Sequence, residues 1–137
     1  MKANELRIGN IINYHINKSY YQGIIRAIMD RCTIVTFYDT IYGGKNGIYK
    51  TIKWKVVDPI PLTEEWLTKF GFHKTAEDDF DKTFGDIDQI SIRSNKLYVT
   101  DKFGVYLNPK RIAIIQYVHQ LQNLYFALTG EELTIKK

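Results

Sequence analysis

The chain has 137 residues, of which 45% are hydrophobic and 25% charged, and a net charge of +4. These values describe an ordinary globular protein and exclude a disordered or low-complexity chain. A single cysteine excludes an internal disulfide framework, and no stretch approaches the roughly 20 apolar residues of a membrane helix.

The opening "MKANELRIGN" lacks an apolar leader, so the expectation is a cytoplasmic protein that does not engage a membrane. Residues 1–57 carry nine Lys or Arg against three acids, and they read as β. "NIINYH", "YYQGIIRAIM", "RCTIVTFY" and "IYKTIKWKVV" are rich in β-branched and aromatic residues, separated by "INKS", Asp30-Arg31 and the glycine loop "YGGKNG". So many short strands predict a strongly curved sheet, and closure as an SH3-like barrel would remove its exposed edges. Cys32, among apolar neighbours, reads as a buried structural thiol. In the last strand Tyr49, Thr51, Lys53 and Lys55 alternate onto one face. Tyr49, Lys53 and Lys55 then form a basic, stacking surface that nucleic-acid backbone would fit, unless the lysines only protect an edge.

Pro59 and Pro61 end the strand, and a subdomain boundary between residues 58 and 59 is expected. The next stretch, "PIPLTEEWLTKFGF", is dense in helix signals. Thr63 is an N-cap with Glu64 and Glu65 in the first turn, while Leu62 and Leu67 can form a hydrophobic staple. Gly71 and Phe72 complete a Schellman ending, so a two-turn helix is predicted from Thr63 to Phe70. Residues 76–88 hold six acids against Lys82 and read as an acidic loop. Asp79 and Asp81 there fit the first EF-hand positions, but Phe84 and Ile90 stand where the motif needs Gly and Glu. What remains is an acidic patch around Asp79 and Asp81 available to a partner.

"QISIRS", "KLYVT" and "FGVYL" predict an antiparallel meander, and the β-branched content of "RIAII" favours a further strand over the first turn of the last helix. A helix over residues 116–129 follows, closed by Gly130. Tyr117, Val118, Leu121, Leu124, Tyr125 and Leu128 fall within about 120° of its circumference and form a core stripe. Gln116, His119, Gln122, Asn123 and Phe126 occupy the other side, without a charge. Either a second layer covers that side, or Phe126 with His119 and Gln122 forms an aromatic anchor in a neutral polar ring that meets a protein partner. The fold class expected is α+β, with a β subdomain over 1–58 and an α+β subdomain over 59–137.

No HxxxH, HExxH, CxxC, phosphate-loop or GxSxG pattern is present, so no metal, cofactor or catalytic constellation is expected. Three blocks, "MKANELRIGN", "PIPLTEEWLTKFGF" and "YVHQLQNLYFALTGEEL", together resemble a family of small uncharacterised phage and prophage proteins. The resemblance implies a small cytoplasmic α+β protein without known enzymatic activity. It also implies action by binding a host or phage protein or ribonucleoprotein, as an anti-CRISPR inhibitor does. Direct RNA or DNA binding through the basic N-terminal sheet is the alternative.

Overall fold

β-Branched and aromatic residues pack well on a pleated surface, and they build an antiparallel sheet in the first part of the chain. The structure, a computed structural model, describes residues 5–29, 33–38, 48–85, 88–94, 101–107 and 109–136. Strand β1 (Ile11–Ile16) turns through Asn17 and Lys18 into β2 (Ser19–Met29), with Ile16 opposite Ser19. Asn17 has φ 55°, a left-handed conformation that Asn tolerates better than most residues. β3 (Thr33–Tyr38) and β4 (Ile48–Lys53) continue the meander. A 3-10 turn, Trp54–Val56, then leads into the two-residue β5 (Val57–Asp58).

The strand order is β4-β3-β2-β1-β5. This corrects the expected barrel: among the described residues the sheet is open, with β4 and β5 as its edges. Two residues of β5, paired to Asn13 and Tyr14 of β1, are too few to form a second ladder that would close it. Leu6, Ile12, Tyr14, Ile25, Ile52 and Val57 form its buried core cluster. Cys32, Asp30-Arg31, the "YGGKNG" loop and the expected strand "KLYVT" lie outside the described residues.

Helix α1 (Glu64–Lys69) follows the local signals closely. The Thr63 side chain accepts from the Trp66 N–H at 3.4 Å. At the other end the Gly71 N–H donates to Thr68 O and the Phe72 N–H to Leu67 O, both at 3.0 Å, the pair of bonds that defines a Schellman ending. Gly71 supplies the required left-handed backbone, φ 82°. Leu67 and Phe70 are fully buried, and Trp66 and Phe70 lie with ring centroids 5.6 Å apart.

A second antiparallel sheet contains β6 (His73–Ala76), β7 (Asp79–Phe84), β8 (Asp88–Ser94), β9 (Phe103–Leu107) and β10 (Lys110–Ile115), in the order β10-β9-β8-β7-β6. Helix α2 (Val118–Thr129) ends where Gly130, at φ 73°, donates its N–H to Phe126 O. Two antiparallel sheets and two helices make the fold α+β.

The chain divides into two compact units, Met1–Ile60 with Val118–Leu124 and Pro61–Tyr117 with Tyr125–Lys137. A single cut near residue 58 therefore misses that the first two turns of α2 belong with the N-terminal unit.

Candidate functional site

Within the first unit, residues 5–10 lead into β1 outside any strand, and their backbone polar groups need partners. Ile25 of β2 pairs with Gly9 and Asn10, and the uncharged side of α2 supplies further partners. Gln122 is 2% exposed; its Oε1 accepts from Ile11 N–H at 2.8 Å, and its Nε2 donates to Gly9 O at 3.1 Å. Asn123 accepts from Asn10 Nδ2 and donates to Glu5 O, both at 2.8 Å. Asn10, itself fully buried, accepts the Arg7 N–H at 2.8 Å. An amide offers both a donor and an acceptor with no charge to desolvate, so amides are the economical way to cover exposed backbone.

His119 is 1% exposed, and its Nε2 lies 3.9 Å from Glu5 Oε2. Burial holds the imidazole below its ordinary range, against the opposing pull of the Glu5 carboxylate. The unfolded chain therefore takes up a proton before the folded one as pH falls. This contribution is complete above the ordinary imidazole pKa of about 6.5 and is lost as pH falls through the lower folded value. Urea unfolding between about pH 7.5 and 5 should show the decline, and His119→Gln should flatten it across that window. His119 and Gln122 are thus internal residues of the first unit, a correction to their expected place on a contact surface.

Phe126 belongs to the second unit and is 38% exposed. The acidic run of that unit is not a loop. Residues 76–84 lie in the β6–β7 hairpin, because Phe80 and Phe84 alternate with polar residues along β7. Asp79 stands opposite Arg93 in the ladder, with Oδ1 3.3 Å from Arg93 Nε. The guanidinium carbon lies 4.5 Å from the centroid of the Tyr106 ring. Gly104 allows that ring to lie close: a Cβ there would come within 2.9 Å of Tyr106 Cε2. Asp79 is therefore engaged by its own sheet. Asp81, half-buried on the same side of β7, stands opposite His73 and Ser91.

Lys53 and Lys55 are both exposed, but β4 ends at Lys53 and Lys55 lies in the 3-10 turn. The single strand face expected to carry them together does not exist. Tyr49 is paired with Phe37 in the β3–β4 ladder; its side chain lies outside the described residues.

Two features escape the sequence patterns. His15 Nδ1 lies 3.1 Å from Asp58 Oδ2, a half-exposed pair joining β1 to β5. Their 43-residue separation hides it in the sequence. The other is strand β10, an edge of the second sheet on which Ile112 is 41% and Ile114 55% exposed. The β9–β10 register shifts between Arg111 and Ala113, so Ile112 is the extra, bulged residue, while strand alternation buries Ile115 and exposes Ile114. The signal was three isoleucines in "RIAII", more than one inward face of a strand that short can bury.

Among the described residues no three His, Cys, Asp or Glu side chains are grouped to hold a metal ion, and no helix is long and apolar enough to cross a membrane. Comparisons with models of protein families, with curated proteins and with solved structures find no match.

Proposed function

We propose that the protein is a non-enzymatic binding protein of the phage type that engages a protein or ribonucleoprotein target, for example a host defence system such as a CRISPR nuclease. The phage assignment rests on the three sequence blocks that resemble phage and prophage proteins. The binding reading is carried by one observation, the exposed isoleucines on edge strand β10. Among the described residues β10 has no strand on its outer side, so its backbone can accept a strand from a partner. Natural edges are usually blunted by charge, bulges, proline or coverage; β10 carries charge at its start and a bulge at Ile112, yet leaves Ile112 and Ile114 exposed. Lys110 and Arg111, both exposed at its start, favour an extended partner segment with acidic flanks. A photo-crosslinker at position 114 should join the protein to one polypeptide in stoichiometric yield, and one placed at Thr75 should not. Equal labelling from both positions would remove the reading.

Direct nucleic-acid binding is the second reading, supported by exposed Lys53 and Lys55 in a unit rich in Lys and Arg. It predicts a mobility shift of short RNA or DNA that falls steeply with salt and weakens in Lys53→Glu. No shift at low salt would dispose of it.

A further inference from the structure

Strand β7 alternates Phe80, Lys82 and Phe84 on one side, so a lysine occupies a row otherwise given to aromatic residues. Its ammonium is half-buried and donates one hydrogen bond, to Phe70 O at the end of α1, at 3.0 Å. Here it lines an open cavity of about 280 Å³ together with Lys136, His73, Thr83 and Thr134. The Lys136 backbone fixes this wall, since its N–H donates to Lys69 O at 2.7 Å. Burial, reinforced by the Lys136 ammonium, holds Lys82 below its ordinary pKa. Capping α1 accounts for one of the three donors on Lys82. Among the described residues no carboxylate is within ion-pair distance of either lysine, although Asp79 and Glu64 elsewhere in the unit are matched with Arg93 and Lys74.

We propose that this cavity binds the terminal phosphate of a small molecule, with the Lys82 and Lys136 ammoniums facing the phosphate oxygens and the Thr83 and Thr134 hydroxyls and His73 completing the polar lining. Two adjacent cations match a dianion better than a carboxylate or a phosphodiester, each of which carries one charge. The volume falls just below the usual range of small-molecule pockets, roughly 300–1,000 Å³, which suits a compact phosphorylated ligand rather than a polymer. This site is independent of β10 and does not rest on the partner-binding reading.

The test is a titration of the isotope-labelled full chain, followed by amide chemical shifts, at constant ionic strength. The probes are inorganic phosphate, ribose 5-phosphate and dimethyl phosphate. Saturable shifts should appear in residues 70–73, 82–83 and 134–136 with the first two probes, and dimethyl phosphate should bind at least about tenfold more weakly. Tighter binding of ribose 5-phosphate than of phosphate would identify an ester as the ligand, and equal binding would identify free phosphate; both support the site. Lys136→Gln, which removes a side chain with no hydrogen bond or ion pair among the described residues, should weaken binding about tenfold, as should Lys82→Met. Shifts that do not saturate, that spread over exposed lysines such as Lys18, Lys53 and Lys102, or that persist unchanged in Lys136→Gln would overturn the proposal.

Discussion

Replacing Gln122 by leucine is expected to destabilise the protein by about 2–5 kcal/mol, although the two side chains are similar in size. The substitution strands two backbone groups at once, the Ile11 N–H and the Gly9 carbonyl. Each buried polar group left without a partner costs about 1–3 kcal/mol, more than the added apolar burial returns. Gln122→Glu should also destabilise, because it keeps an acceptor for Ile11 but offers Gly9 O no donor when ionised. Asn123→Leu should cost less, since Asn123 is only partly buried. Urea unfolding of the three variants gives the order directly. A change within about 0.5 kcal/mol for Gln122→Leu, the range of ordinary surface substitutions, would mean that the amide does not hold the N-terminal segment.

Ile114→Lys is expected to have the largest functional effect. The residue is 55% exposed, so the fold should be unaffected to within about 0.5 kcal/mol. An apolar anchor at the centre of an interface is worth about 2 kcal/mol or more, and its replacement by a charge that cannot be desolvated should weaken partner binding at least thirtyfold, roughly. Lys53→Glu, on the other unit, should leave the same affinity unchanged. The contrast separates the β10 reading from a general loss of basic charge, because Ile114→Lys adds a positive charge while Lys53→Glu removes one. A second copy of this chain on β10 would appear as a dimer in sedimentation that Ile114→Lys dissociates.

Local punctuation was legible in the sequence. Thr63, Gly71 and Phe72 specify both ends of α1 without reference to anything distant, and the structure places the bonds they imply. "RIAII" reads as a strand for the reason it is one, its β-branched content, and β10 follows. Long-range facts were harder. A helical wheel separates apolar from polar sides, but it does not distinguish amides facing water from amides facing backbone. The absence of Lys and Glu beside Gln122 and Asn123 was the available clue to burial.

At residues 54–56 the alternation of "KTIKWKVV" continues through a 3-10 turn, so period alone joins β4 to β5 and sets Lys53 beside Lys55. In the acidic run, charge density masked the spacing of Phe80 and Phe84 that marks a strand. The Lys82 cavity draws on β6, β7 and the C-terminal tail, and no sequence neighbourhood announces that convergence.

Strand β10 is the surface that a bound partner is proposed to cover. Hydrogen exchange of the full chain, alone and in complex with the polypeptide crosslinked from position 114, examines that surface residue by residue. Strand addition should slow exchange of amides within residues 110–115 while leaving β4 and the Glu5–Ile11 segment unchanged. Protection confined to the first unit, with β10 exchanging as it does in the free protein, would contradict it.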